Sequence, residues 1–240
     1  MKTAEWIVLD LETGDAAMEA VARKMQDWRP PSNLKDPEKI AARRKEAAEK
    51  ALEKAALLDE SPILCVGMQT DSARFLLNGM DGSAPEIDGW PVMPCTDERG
   101  LLVALRAVLD RIGTPETILV GHNVRAFDLP KLRHAYIRQG LRMPEILKPR
   151  LKDEERAEVV DTSRLFKAFS MEHRDDFCPS LDDLAASFGL PRPKEHMSGA
   201  DCPRLYREGE FQTVLTYCAV DVATTARAFA LMTGNTPDLE

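Results

Sequence analysis

The stretch IVLDLETG, residues 7–14, constrains this chain more than any other. Ile7, Val8, Leu9 and Leu11 make the apolar run of a strand whose sheet is covered on both faces. The same run carries two acids, Asp10 and Glu12. Side chains two apart on a strand share a face. Asp10 and Glu12 therefore project together, and Ile7, Leu9 and Leu11 line the opposite face. A strand end emerging into water accounts for one acid. Two on one face repel each other unless a cation lies between them, so a metal site stands beside the solvent-exposed reading.

The rest of the 240-residue chain, 44% hydrophobic, is read as one domain, 1–240. Residues 15–35 are mixed. A helix is predicted over 36–60, with Asp36 as N-cap, Pro37 at its first position and an Ala/Leu stripe at 40, 47, 48, 51, 52, 55 and 58. Its charged face reads as solvated first and as phosphate-tracking second. Strands are predicted at 62–69 and 73–78, paired through Thr70–Ser72, and a Pro/Gly-rich loop runs on to Cys95. Helices over 97–112, 129–140, 162–170, 180–188 and 210–233 alternate with short strands at 117–121 and 159–161. Strands in succession, then strands alternating with helices, point to an α/β sheet covered by helices.

Composition narrows the function classes. Five cysteines are scattered, odd in number and without a C-x-x-C pair, which argues against a disulfide framework or a zinc knuckle and fits a reducing cytoplasm. The N-terminus lacks a basic-then-apolar leader, so no secretory signal is expected, and no apolar stretch looks long enough to span a bilayer. A net charge of −8 speaks against duplex DNA held on a basic face. It leaves room for an enzyme of nucleic acids whose acids are gathered and neutralised by metal.

Two further stretches carry candidate chemistry. In ILVGHNVRAFDLPKL, residues 118–132, His122 and Asn123 sit where a strand ends, and Asp128 stands at a helix entrance. Asp128 alone reads as a cap, and His122 alone as a structural histidine. In YCAVDVATTARAF, residues 217–229, Tyr217 and Asp221 are four apart, hence neighbours on one helix face beside the apolar stripe.

Together, D-x-E at 10–12, N-x-x-x-F-D at 123–128 and Y-x-x-x-D at 217–221 resemble the three motifs of the DEDD (DnaQ-like) 3′–5′ exonucleases. Tyr217 places the resemblance in the tyrosine-bearing branch; Thr216 stands where the other branch has histidine. The wording looks most like stand-alone relatives of the proofreading domain of family B DNA polymerases. It covers about residues 5–14 and 62–232 and leaves 15–60 as a helical insertion after the first strand.

The resemblance implies a ribonuclease H-like mixed sheet, three antiparallel strands first, with helices on both faces and the acids at one end. It implies two divalent ions, Mg²⁺ or Mn²⁺: Asp10 between both, Glu12 and Asp221 on one, Asp128 on the other mainly through water. Tyr217 then orients the attacking water. Thr13, Asn123 and Phe127 become contacts to the terminal nucleotides, Lys194 a phosphate contact, and Asp161 a structural acid. The expected substrate is a single-stranded 3′ end, DNA ahead of RNA, with a homo-oligomer or polymerase partner left open and no membrane partner. A non-catalytic module of the same fold, binding 3′ ends or a protein, is the alternative, and a ribonuclease H-like endonuclease is a third reading.

Overall fold

The computed structural model describes residues 3–82, 84–149, 159–193 and 197–234. Among these residues the strands are β1 (Trp6–Thr13), β2 (Ile63–Thr70), β3 (Arg74–Asn78), β4 (Glu86–Ile87), β5 (Trp90–Pro94), β6 (Ile118–Gly121) and β7 (Val159–Asp161). They form one mixed sheet in the order β4-β5-β3-β2-β1-β6-β7. β1, β2 and β3 run antiparallel in succession, and β6 and β7 extend the other edge of β1 in parallel. The chain thus has the α/β, ribonuclease H-like arrangement, with β1 inside the sheet between β2 and β6.

The helices are α1 (Met18–Gln26), α2 (Pro37–Glu53), α3 (Glu98–Ile112), α4 (Asp128–Arg138), α5 (Thr162–Phe166), α6 (Leu181–Ser187), α7 (Cys202–Glu208) and α8 (Phe211–Thr233). The period-2 pattern of β1 sorts them onto two faces. Ile7, Leu9 and Leu11 pack in one core with Leu101, Leu105 and Leu109 of α3 and Leu132 and Tyr136 of α4. The Tyr136 hydroxyl, buried with its ring, donates to the Leu102 carbonyl at 2.8 Å. Val8 faces the other core, with Val214, Leu215, Cys218 and Val222 of α8. Asp10 and Glu12 alternate with Leu9 and Leu11 and so lie on the α8 side.

α8 reaches these acids because β2 is thin where it must be. Asp10 pairs with Gly67 across the β1–β2 ladder. A Cβ on Gly67 would lie 2.8 Å from Val222 Cγ2 and 3.0 Å from Cys218 Sγ. Glycine lets the helix settle onto the strand beside Asp10. By length and composition α8 is apolar enough to cross a bilayer, contrary to the sequence expectation that no stretch is; here its apolar residues make a core with the sheet.

Several elements differ from expectation. The predicted loop before Cys95 contains β4 and β5, an edge hairpin turning at Asp88–Gly89, both with positive φ. Pro91 and Pro94 disguise β5, which lies between the two-residue edge strand β4 and β3. α1 and α7 lie outside the predicted helices, and α5 is shorter than the expected 162–170. α2 starts as predicted, with Asp36 accepting from the Glu38 and Lys39 amides, but ends at Glu53. Its Ala/Leu stripe is only partly covered, and Leu52 is exposed.

The segment between β1 and β2 is fastened at its base. Thr13 Oγ1 donates to the Ala56 carbonyl at 2.9 Å, and Ser61 Oγ donates to the same oxygen at 2.7 Å. Lys131 on α4, buried, bonds through Nζ to the Leu58 carbonyl and Ser61 Oγ. Burial pulls its ammonium down to about 8.

Candidate active site

Two elements bring three carboxylates together. β1 supplies Asp10 and Glu12 on one face; the four-residue spacing on α8 sets Asp221 and Tyr217 side by side above them. One carboxylate oxygen from each of Asp10, Glu12 and Asp221 lies within 4.8 Å of the others. Asp128 enters from the start of α4. It does not cap that helix, whose N-cap is Phe127 without a side-chain cap bond. Its Oδ1 instead accepts from the Leu11 amide at 3.2 Å, tying α4 to β1. The four acids and Tyr217 line one cleft of about 330 Å³, together with His122, Asn123, Phe127 and the Cys178–Leu181 segment.

The electrostatics are those of crowded acids. Glu12, Asp128 and Asp221 are at most 7% exposed. Burial holds the Asp10 carboxyl well above the usual range, and Asp128, Glu12 and Asp221 push it further. Asp128 rises to about 7, chiefly through burial, with Asp161 and Asp221 adding to the shift and its backbone hydrogen bonds opposing it. Burial and then the Asp221 charge drive the Tyr217 phenol above its ordinary value, and its hydroxyl is hydrogen-bonded to Asp221. No lysine or arginine is among the described residues lining the cleft. Asp10 Oδ2 is buried and has no hydrogen-bond partner.

A hard divalent cation fits this donor set. Every converging atom is a carboxylate oxygen, the ligand type of Mg²⁺ and Mn²⁺. A cation would relieve the mutual repulsion and give the sealed Asp10 oxygen a partner.

A rigid surround fixes the cleft. Asp161, at the end of β7, accepts from the Asn123 amide at 2.9 Å and the Arg125 amide at 3.2 Å through its two oxygens, and also caps α5 at Ser163. Asn123 takes a positive φ of 58° in this loop. His122 bonds through Nδ1 to Thr162 Oγ1 at 3.0 Å and through Nε2 to the Pro179 carbonyl at 2.9 Å. It therefore joins the end of β6 to the start of α5 and the segment before α6, which is the structural role.

The predicted substrate contacts separate into three groups. Asn123 and Phe127 line the cleft, Phe127 half-buried against the α3/α4 core. Thr13 does not line it. Its side chain is buried and its hydroxyl is committed to the Ala56 carbonyl. Lys194 lies outside the described residues. Sequence reasoning missed Cys202, fully buried, whose Sγ donates to Glu12 Oε2 at 3.0 Å. It also missed Gly199, where a Cβ would sit 3.6 Å from Glu12 Oε2 and 3.9 Å from the Tyr217 hydroxyl. The Glu12–Cys202 contact spans 190 residues, so no local spacing advertises it.

No curated protein matches the chain at a significant level. A family model described as a predicted 3′–5′ exonuclease related to the exonuclease domain of PolB matches residues 95–235. That span holds Asp128, Tyr217 and Asp221 but stops short of Asp10 and Glu12, which join them through the sheet geometry. On a match to more than half its length, the chain belongs to the family of predicted 3′–5′ exonucleases related to the PolB exonuclease domain.

Proposed function

We propose that the protein is a metal-dependent exonuclease of the tyrosine-bearing DEDD type, removing nucleotides one at a time from single-stranded 3′ ends. DNA is placed ahead of RNA on the family's relation to a polymerase exonuclease domain. The observation that carries the reading is the convergence of Asp10, Glu12 and Asp221 from two elements to within 4.8 Å, with Asp128 across the same cleft. The five free thiols suit a reducing cytoplasm.

In this reading Asp10, Glu12, Asp128 and Asp221 would hold two divalent cations. When bound, such ions lower the pKa of water and stabilise charge on attacking and leaving oxygens. Net hydrolysis places the hydroxyl of water on phosphorus and its proton on the departing 3′ oxygen, releasing a nucleoside 5′-monophosphate. Tyr217 keeps its phenolic proton, since burial and Asp221 both oppose ionisation. It orients water from its place beside Asp221 and does not serve as the base. Phe127 offers a ring face to a terminal base, and Asn123 an amide to the sugar or base edge.

The test is digestion of 5′-labelled single-stranded DNA and RNA with Mg²⁺, Mn²⁺ or EDTA, alongside Asp10→Ala. A metal-dependent ladder shortening by single nucleotides, absent in the variant, is the expected result. Internal cuts would select the endonuclease reading. No cleavage with retained binding of 3′ ends would select the non-catalytic module.

A further inference from the structure

One side of the cleft carries an aromatic that the chemistry above leaves unexplained. Residues 178–181 line the cleft, and the residue immediately before them, Phe177, is 95% exposed. On the same connection between α5 and α6, Met171 is also exposed, whereas Phe166 and Phe188 pack edge-on against each other in a small core. Single exposed apolar residues are ordinary; what marks Phe177 is its place one residue before a stretch that lines the cleft.

The backbone around it is held. The Phe177 carbonyl accepts from Lys167 Nζ at 3.2 Å. Two residues on, the Pro179 carbonyl is bonded to His122 Nε2. Just before it, the Asp176 amide donates to the His173 carbonyl at 3.3 Å, and the two side chains pair at 2.8 Å. The Phe177 ring contacts no other aromatic among the described residues. Its backbone is thus held one residue from the cleft lining, its ring is exposed to solvent, and the Lys167 ammonium lies beside its carbonyl.

From this placement we infer that Phe177 is a stacking platform for a base of the nucleic-acid strand upstream of its 3′-terminal nucleotide. The inference rests on the exonuclease reading. A strand whose end lies among the carboxylates can leave past residues 178–181, and an aromatic face there accepts any base, as a sequence-tolerant nuclease requires. Lys167 has ammonium protons beyond the one given to Phe177, and they suit an adjacent phosphate.

The test varies substrate length. Binding of 5′-fluorescein oligo(dT) of two, four and eight nucleotides is measured by anisotropy in EDTA, for the wild type, Phe177→Ala and Phe177→Trp. The wild type should tighten between the shortest and the longer strands. Phe177→Ala should lose roughly tenfold of that gain. Phe177→Trp should restore it and add a fluorescence component, absent in the wild type, that is quenched by unlabelled oligonucleotide. Equal length dependence in the wild type and Phe177→Ala would overturn the inference. So would a signal from the introduced tryptophan that oligonucleotide leaves unquenched. Hydrolysis of the p-nitrophenyl ester of thymidine 5′-monophosphate, too short to reach Phe177, tests the catalytic reading separately. Ester cleavage without a Phe177 effect sinks the stacking platform alone; a Phe177 effect without any cleavage sinks the exonuclease alone.

Discussion

The carboxylates of the cleft and those of the helical insertion are the same chemical group in opposite settings. Residues 15–60 contain ten basic and ten acidic residues, so the whole excess of −8 lies in the rest of the chain. In residues 15–60 several of the described acids lie at the surface paired with basic side chains. Glu46 accepts from Arg43 at 2.9 Å and Lys50 at 2.7 Å, contacts that hold it below the usual carboxylate range. In the cleft the acids are buried and crowded against each other, and Asp10 and Asp128 are pushed up. Spacing explains both. Pairs three and four apart on a helix meet in water, whereas D-x-E on a covered strand forces like charges onto one buried face. The first arrangement stabilises a little; the second is tolerable only if it serves something else.

The sharpest way to break this contrast is to neutralise Asp10. Asp10→Asn should lower exonuclease turnover on the order of a thousandfold, the scale of several kcal/mol of transition-state stabilisation. In EDTA at pH 8 the same variant should melt at or above the wild-type temperature, since it removes a charge that its neighbours repel. A parallel loss of activity and of metal-free stability would mean that Asp10 is an ordinary core residue.

Proton linkage gives the next largest effect. Asp128 titrates near 7 in the folded protein against an ordinary 3.8. Folding therefore binds protons between those values, and the stability Asp128 contributes is full below about pH 4 and is lost as pH rises through 7. The burial of Asp10 acts in the same direction. The melting temperature of metal-free protein should fall between pH 5 and 8, and Mn²⁺ should restore it most at the alkaline end, releasing protons as it binds. A flat profile in EDTA would remove the electrostatic case for a cation site.

How much of this is legible in the sequence follows from the reach of each signal. Asp10 and Glu12 can be placed on one face because period 2 is a local property of β1. Tyr217 and Asp221 are equally legible from period 3.6 within α8. What the sequence does not convey are contacts made by closure of the sheet. Thr13 has the right neighbours in sequence, yet its hydroxyl is taken by the Ala56 carbonyl, 43 residues away. Cys202 has no motif, yet docking α7 beside β1 sets its thiol on Glu12. β5 is lost for a different reason: its prolines read as strand breakers, and its pairing with β3 on one side and the two-residue β4 on the other is a tertiary fact.

Tyr217 sharpens the contrast within the cleft itself. Tyr217→Phe keeps the packing on α8 and deletes only the hydroxyl beside Asp221. The expected loss is about 10- to 100-fold in turnover, as for other groups that orient a metal ligand or water, with metal affinity within a few-fold of the wild type. A loss as large as that of Asp10→Asn would make the phenol part of the proton transfer and contradict its raised pKa.

The smallest effect belongs to Glu46. Its folded pKa is lowered by Lys50 first and then Arg43, so any stability it supplies is present above its ordinary 4.5 and disappears as pH falls through the lower folded value. That is the opposite sign to Asp128. Both of its partners are well exposed, and water and salt screen the pair. Glu46→Gln should therefore leave the melting temperature at pH 8 and the turnover within error of the wild type, with and without Mn²⁺. The informative outcome is a change in how much Mn²⁺ stabilises the variant. The base of the insertion is bonded to Thr13, one residue past Glu12, and to Lys131, three past Asp128. A Glu46 variant that altered metal-linked stability would show that the insertion transmits its state through those anchors to the carboxylates. An unaltered response would establish the two regions as independent, one set of acids tuned to water and the other to a cation.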